Sequence, residues 1–261
     1  MNDVPVFILC GGFGTRLREQ TEFRPKPMIE IGGRPILWHI MRSYARHGFR
    51  RFVLCLGYRA EVIREYFLHY TSLNSDFTVE LATNTVTLDS IDHTDDWKVT
   101  LADTGLETMT GARVARAASR YLGDAEHFAV TYGDGVTDAD LAAEFRFHLG
   151  HERLGTVLGV NPPSRFGEIK LDGDAVLQFE EKPEFAEKWI NGGYQFFRRG
   201  FLDYLNEDPA CVLEKTPLVR LAAAGELSLY RHRGFWHCMD TQRDYDSLNA
   251  MWSRGEAPWK A

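Results

Sequence analysis

The chain is predicted to adopt an α/β fold with three layers, in which a mixed, mostly parallel central sheet lies between helices. Continuous apolar runs such as Pro5–Cys10 and Phe52–Leu56 are typical of strands that are buried on both faces. Segments with apolar residues at helical spacing alternate with these runs. Such β–α–β alternation is typical of a parallel sheet that is covered on both faces.

The elements follow from these patterns in order. Helices are predicted at 36–45, 61–70, 111–121, 139–149, 216–224 and 241–253, with strands at 5–10, 52–56, 128–132 and 227–231. Gly48 is predicted to end the first helix. Three short strand-like runs make residues 76–103 a small β-rich excursion, and four more (155–160, 167–171, 175–180 and 189–197) are predicted as antiparallel additions to the sheet. Residues 1–261 are interpreted as one domain.

The composition is that of a globular protein, since 44% of the 261 residues are hydrophobic and 26% are charged. A formal net charge of −7 offers no general attraction to nucleic acid, so a phosphate ligand must be held by a local cluster. No apolar run approaches the roughly 20 residues that span a membrane, and no basic signal segment precedes the first strand. The four cysteines are scattered, and Cys10 and Cys55, which end apolar runs, are interpreted as reduced packing residues. A cytoplasmic protein without a nucleic-acid or membrane partner is expected.

A glycine-rich turn, Gly11-Gly12-Phe13-Gly14-Thr15-Arg16, follows the first strand directly. Glycines let backbone N–H groups approach an anion closely and form a nest for phosphate. A dinucleotide-binding fingerprint would need glycine where Leu17 stands, and a Walker A loop would need a Gly-Lys pair, which the chain lacks. Lys26 follows on a loop stiffened by Pro25 and Pro27, which suits a residue aimed at a phosphate. An ordinary strand-to-helix turn with surface cations is the simpler alternative.

Two aspartates are candidate metal ligands. Asp134 lies between glycines just after a predicted strand, where ligands of open α/β sheets bind. An EF-hand is excluded, because Val136 and Phe145 occupy positions that require oxygen ligands. Asp138 is predicted to cap the helix that follows. By its own sequence, Asp240 is an ordinary cap for the last helix.

The glycine-rich turn and Pro25-Lys26-Pro27-Met28 together resemble the motifs of sugar-1-phosphate nucleotidyltransferases. Further similar segments follow in the same order: Ile31–Met41, Met109–Arg113, Thr131–Val136, Phe179–Pro183, Ile190–Gly193 and Phe235–Thr241. Several resemble the cytidylyltransferase branch, from whose pattern Ala112 and His237-Cys238 depart. The resemblance implies the Rossmann-like three-layer nucleotidyltransferase fold and a homo-oligomer. It also implies Mg²⁺ as cofactor, with CTP and glucose 1-phosphate as substrates.

The resemblance also implies roles for residues of this sequence. Arg16, Lys26 and Asp134 are implied to be catalytic, and Asp134 and Asp240 to hold Mg²⁺ together. Substrate binding is implied for Leu9, Gly11, Gly12, Gly14, Thr15, Thr110, Arg113, Tyr132, Gly133, Glu168, Lys182, Asn191 and Gly192, with Lys182 on the sugar phosphate. Arg113 is predicted to read the base, because arginine donors suit O2 and N3 of cytosine. A surface arginine on a helix is an equal local alternative.

The predicted reaction joins CTP and glucose 1-phosphate to give CDP-glucose and pyrophosphate. Two alternatives stay open. The first is the same reaction with UTP, dTTP or another hexose 1-phosphate. The second is a non-catalytic regulatory subunit that binds nucleotide sugars. The presence of Arg16, Lys26, Asp134 and Asp240 argues against the second, because such a protein is expected to lack one of these charged residues.

Overall fold

A computed structural model describes residues 1–14, 17–88, 95–162, 168–180 and 188–260. The strands are β1 Pro5–Cys10, β2 Glu30–Ile31, β3 Arg34–Pro35, β4 Arg51–Leu56, β5 Phe77–Glu80, β6 Thr85–Leu88, β7 Lys98–Asp103, β8 His127–Tyr132, β9 Gly135–Thr137, β10 Gly155–Val160, β11 Glu168–Asp172, β12 Ala175–Glu180, β13 Ile190–Arg198, β14 Leu227–His232 and β15 Trp236–Cys238. The α-helices are α1 Arg18–Thr21, α2 Ile36–Arg46, α3 Ala60–Leu68, α4 Tyr70–Asn74, α5 Thr110–Tyr121, α6 Leu141–Leu149, α7 Thr216–Ala223 and α8 Gln242–Ser253. Short 3₁₀ turns lie at Lys26–Met28, Arg199–Tyr204 and Pro258–Lys260.

The central sheet has seven strands in the order β14-β10-β13-β8-β1-β4-β7. Its neighbours pair parallel, except that β13 runs antiparallel to both β8 and β10. This arrangement is the predicted mixed, mostly parallel sheet. The reversed strand β13 has a consequence for the cleft, because it begins at the sheet edge where β8 and β10 end.

Residues along each central strand alternate between two apolar clusters, one on each face of the sheet. In β1, Val6 and Ile8 join the cluster that packs against α2, α6 and α8, while Phe7 joins the cluster that packs against α5 and α7. All six residues of β1 are buried. The continuous apolar run is therefore a strand that is buried on both faces, as predicted. The three-layer fold class is confirmed.

Two predictions about the short strands are wrong. β7, placed by the sequence in the β-rich excursion, is the edge strand of the main sheet and pairs parallel with β4. Of the described strands in that excursion, only the β5–β6 hairpin lies outside the main sheet. β11 and β12 pair with each other in a separate hairpin, and β10 is parallel to β14, so β13 alone is an antiparallel addition. Short strands look alike in sequence, because their partners are set by distant segments.

The helix ends confirm the predicted role of Gly48 and correct the predicted N-cap of α6. Gly48, with φ of +85°, follows the C-cap of α2 in the left-handed conformation that glycine favours, as predicted. Asp140, not Asp138, is the N-cap of α6, and its carboxylate accepts a hydrogen bond from the amide of Ala143 at 2.8 Å. Asp138 instead lies 2.9 Å from Nε2 of His232. Within the described ranges, no helix combines the length and apolar character that crossing a bilayer requires.

Candidate active site

A cleft opens at the carboxyl ends of β1 and β8, which are neighbouring parallel strands at the centre of the sheet. Its first cavity has a volume of about 260 Å³ and lies against the glycine-rich turn. The residues that line it are Leu9, Cys10, Gly12, Gly14, Lys26, Pro27, Thr110, Tyr132, Gly133, Asp134 and Asp240. Several residues predicted to bind substrate are therefore neighbours in space.

A second cavity of about 470 Å³ adjoins the first. Tyr132, Asp134 and Asp240 line both cavities, so the acidic pair lies at their junction. Asn191 and Gly192, which are predicted to bind substrate, lie on the wall of the second cavity. They reach the cleft because β13 runs antiparallel to β8 and begins where β8 ends.

A small two-stranded sheet brings together Asp134 and Asp240, which are distant in sequence. β9 begins directly after Asp134, and β15 ends shortly before Asp240. These strands pair antiparallel with Gly135 opposite Cys238, and the amide of Met239 donates to the carbonyl oxygen of Asp134 at 2.8 Å. The two carboxylates and the Cys238 sulfur consequently offer ligand atoms within 4.8 Å of one another.

Asp240 is not the cap of the last helix, although its local sequence allows that role. Thr241 is the N-cap of α8, and its hydroxyl accepts from the amide of Asp244. The Asp244 carboxylate in turn accepts from the amide of Thr241 at 2.8 Å, which completes a capping box. The carboxylate of Asp240 lies in the cleft, where it accepts a hydrogen bond from Lys26.

The Lys26 ammonium bridges the two carboxylates and donates to Oδ2 of Asp134 and Oδ1 of Asp240 at 2.6 Å each. The Lys26 side chain is 12% exposed. Burial by itself lowers the pKa of a lysine, but the two aspartates outweigh burial and raise the pKa of Lys26 above its ordinary value. Lys26 is therefore protonated at neutral pH and places a positive charge at the junction of the cavities.

Close packing brings the Lys26 loop to the acidic pair. Lys26–Met28 form one 3₁₀ turn that packs against Gly133. A Cβ atom at Gly133 would stand 2.8 Å from Cγ of Pro27 and 2.9 Å from the carbonyl oxygen of Leu9. Only glycine leaves space for the loop to lie this close to Asp134, which gives a physical reason for the Gly-Asp pair after β8.

Cys238 is the third potential ligand at the junction and belongs to the pair that departs from the cytidylyltransferase pattern. Burial raises the pKa of its thiol, and the Asp134 carboxylate acts in the same direction. The thiol is consequently protonated, so the anionic donors of this cluster are carboxylate oxygens. Such oxygens suit a hard cation such as Mg²⁺ better than a soft one.

Arg113 is predicted to read the base, and its side chain is buried in the structure. Its terminal nitrogens donate to the Thr104 hydroxyl at 2.8 Å and, at 2.7–3.0 Å, to the carbonyl oxygens of Gly11, Leu56, Gly105 and Leu106. The guanidinium thus ties the glycine-rich turn to the ends of β4 and β7. A surface arginine is excluded. A contact with a base requires Arg113 to exchange some of these acceptors for the base, so base reading stays a prediction.

Glu214 is a residue of the cleft rim that sequence reasoning misses. Its carboxylate accepts a hydrogen bond from the Tyr132 hydroxyl and another, at 2.8 Å, from the Thr110 hydroxyl. Burial, together with this carboxylate, raises the pKa of Tyr132, so its hydroxyl stays a donor. Tyr132 and Thr110 both line the first cavity. Glu214 therefore fixes two side chains of the wall, yet it belongs to no motif that could have pointed to it.

The structure does not place four of the predicted site residues at the cleft. Thr15, Arg16 and Lys182 lie outside the described residues, and Glu168 begins β11 in the separate hairpin. Their roles stay predictions. Gly11 is described, and its carbonyl oxygen accepts from Arg113 at 3.0 Å.

Comparisons with known proteins cover nearly the whole chain. The family model described as Nucleotidyl transferase matches residues 6–241. The glucose-1-phosphate cytidylyltransferase of Salmonella typhi is 45% identical over 255 residues, 97% of each chain. A Bacillus subtilis (strain 168) protein named as a probable glucose-1-phosphate cytidylyltransferase is 40% identical over 253 residues, 97% of this chain and 98% of the relative. The solved structure of HddC from Yersinia pseudotuberculosis shares the fold, with a TM-score of 0.63 at 22% identity, and the match covers 95% of this chain and 99% of that one.

Proposed function

Because the chain belongs to the nucleotidyl transferase family, we propose that it transfers a cytidylyl group from CTP to glucose 1-phosphate, forming CDP-glucose and pyrophosphate. Two relatives that match it over nearly their full lengths carry the name of this activity. The observation that carries the proposal is the junction of the two cavities. A nucleotide in the first cavity and a sugar phosphate in the second meet at Asp134, Asp240 and Lys26.

The residues at the junction fit a divalent cation. The Lys26 ammonium shows that a positive charge is accommodated between Asp134 and Asp240. Mg²⁺ is commonly held by one or two carboxylates together with substrate phosphates. Asp134 and Asp240 would therefore hold it, and when bound it would neutralise charge on the reacting phosphates.

The reaction proceeds by in-line attack of a sugar-phosphate oxygen on the α-phosphorus of CTP. A bond forms between that oxygen and the phosphorus, while the bond to the bridging oxygen breaks and pyrophosphate leaves. The attacking oxygen is already ionised, so neither a protein nucleophile nor a general base is required. The contribution of the protein is positioning and charge stabilisation.

Several of the described residues contribute to this positioning and charge stabilisation. The Lys26 ammonium lies at the junction of the cavities, where it would donate to phosphate oxygens of the bound substrates. Gly12 and Gly14 present backbone to the phosphates, and Gly133 lets the Lys26 loop approach. Asn191 offers an amide to the sugar hydroxyls on the other side of the junction.

An activity matrix tests this proposal. Pyrophosphate release is measured with Mg²⁺ for CTP, UTP, dTTP, ATP and GTP, each with glucose 1-phosphate, galactose 1-phosphate and mannose 1-phosphate. We expect the highest kcat/KM for CTP with glucose 1-phosphate. A different best pair would correct the substrates and keep the reaction. Absence of release from every pair, by a folded protein, would favour the regulatory alternative.

The β5–β6 hairpin supports the proposal of a homo-oligomer. Every residue of both strands is exposed, including Phe77, Val79, Val86 and Leu88. An isolated two-stranded ribbon is marginally stable in water, so a second copy of the chain is proposed to cover it. Sedimentation equilibrium should show an oligomer that V79K/V86K weakens, whereas T78K/T87K serves as a control of equal charge. A monomeric wild type would refute this proposal.

A further inference from the structure

A third cavity, of about 630 Å³, shares no lining residue with the catalytic cleft. It lies between α2, α4, the end of α8 and the Pro258–Lys260 turn. Trp38, Trp252 and Trp259 supply aromatic surface, and Arg34, Arg42 and Lys260 supply positive charge. The volume falls in the range of small-molecule sites.

The cations of this cavity are arranged over aromatic rings. The guanidinium carbons of Arg34 and Arg42 lie 5.4 Å and 5.1 Å from the centroid of Trp38, and Nζ of Lys260 lies 4.8 Å from that of Trp252. Among the described residues, no acidic side chain lies within ion-pair distance of these three cations. Their charge is consequently available to an anion beside the rings.

The remaining polar groups of the wall leave a positive balance. Asp95 is the one carboxylate among the described lining residues, and it accepts hydrogen bonds from Tyr70 and, at 3.3 Å, from the Trp38 indole. Burial lowers the pKa of His39 to about 4, so that side chain is neutral at pH 7. Among the described lining residues, three cations therefore face one anion, on a chain whose formal net charge is −7.

Trp259 forms a largely buried part of the cavity wall. It is 3% exposed, and within the described part of the chain its indole N–H has no hydrogen-bond acceptor. A buried donor without a partner is costly. The nitrogen itself is closed off from the cavity, so Trp259 contributes ring surface, and no free donor, to the wall.

We propose that this third cavity is a second, non-catalytic binding site for a nucleoside diphosphate. The base lies against the tryptophan rings, and the diphosphate lies beside Arg34, Arg42 and Lys260. Tryptophan faces stack on any base, so the site has little base preference. Lysine and arginine supply the charge-assisted hydrogen bonds that phosphate oxygens accept.

Calorimetric titration with CDP counts the sites, because CDP binds to the catalytic cleft as well under the proposed function. We expect two CDP per chain for the wild type. R42E/K260E should weaken the second event more than about 100-fold, since two contacts to phosphate become repulsive, and leave the first unchanged. Arg42 and Lys260 are both exposed, so the fold should tolerate these changes. R120E/R220E makes the same charge change on the opposite helix layer and should keep two sites.

Three results would overturn the proposal. One is a wild type with a single CDP site that Lys26→Ala abolishes. Another is a second site that R42E/K260E leaves intact. The last is a change in oligomeric mass on R42E/K260E with no second binding event, which would show that another copy of the chain covers the cavity. Pyrophosphate and cytidine, titrated separately, should each bind there more weakly than CDP, and equal binding of pyrophosphate would refute the role of the tryptophans.

Discussion

Lys26 lines the first cavity and Arg113 is buried against Gly11 of the glycine-rich turn, and different kinds of partner hold the charges of these two cations. Lys26 is bound by two carboxylates, which are also the proposed metal ligands. Arg113 is bound by four carbonyl oxygens and a hydroxyl, which belong to the scaffold and are neutral. Lys26 can therefore exchange its carboxylate partners for substrate phosphates while the fold stays intact. The Arg113 guanidinium instead holds the glycine-rich turn against the ends of β4 and β7.

The acidic partners of Lys26 should show the largest effect. Asp134→Asn or Asp240→Asn should reduce turnover more than about 10⁴-fold while the chain stays folded, and the double variant should lose little more. EDTA should abolish activity, and Mn²⁺ should partly restore it, because both ions prefer oxygen ligands. Steady-state pyrophosphate release and circular dichroism measure the two properties. Wild-type turnover by the Asp240 variant would mean that Asp134 holds the metal with phosphates and water alone.

Lys26→Ala should lower kcat/KM about 10²- to 10⁴-fold, as loss of one preorganised charge contact does. Without Mg²⁺ the Tm should fall, because the substitution leaves the Asp134 and Asp240 carboxylates close together without a cation, and Mg²⁺ should restore the Tm. Thermal unfolding with and without Mg²⁺ is the control. Near-normal turnover by the folded variant would show that Lys26 does not contribute to catalysis, so that it would not differ from Arg113 in this respect.

Arg113→Gln distinguishes a scaffold arginine from a base-reading one. If Arg113 reads the base, the ratio of kcat/KM for CTP to that for UTP should fall about 10- to 100-fold. The hydrogen bonds described above predict, in addition, a Tm lower by several degrees, because glutamine cannot satisfy so many acceptors. Arg116→Gln, on the same helix, is the matched control. A lower Tm with an unchanged CTP/UTP ratio would leave Arg113 only its scaffold role.

The smallest effect is expected at Glu214. Glu214→Gln should raise KM for the nucleotide about fivefold, because hydrogen bonds to Tyr132 and Thr110 weaken by about 1 kcal/mol. Glu207→Gln, a change in a nearby part of the chain outside the cleft, should leave KM unchanged. Tyr132→Phe should reproduce part of the Glu214 effect. Equal KM values for Glu214→Gln and the wild type would show that the cleft wall does not depend on this carboxylate.

Sequence reasoning recovers the parts of the fold and cleft whose signals are local. β1 and β8 are buried on both faces, so their apolar runs identify them. Lys26 is marked by its flanking prolines, and Asp134 by its glycines after a strand. Gly48 follows α2 in a left-handed backbone conformation, which is typical of glycine and can be predicted from the residue type.

The missed features depend on contacts between distant segments. The sequence at β7 does not show that it will pair with β4, and the three-residue pairing of β9 with β15 is too short to recognise. Asp240 looks like a helix cap until Thr241 is seen to take that role, so resemblance alone pointed to it. Glu214 has no local signal, because its function comes from Tyr132 and Thr110.

The reversed direction of β13 has an implication for protein engineering. Val160, the last residue of β10, pairs with Ile190, the first residue of β13, so residues 161–189 leave and rejoin the sheet at the same place. That place is the edge of the second cavity, where the sugar phosphate is proposed to bind. Because these two ends adjoin, we expect that the stretch can be exchanged between relatives while the seven-stranded sheet stays in place, and the sugar preference of the exchanged proteins would show whether this stretch sets it.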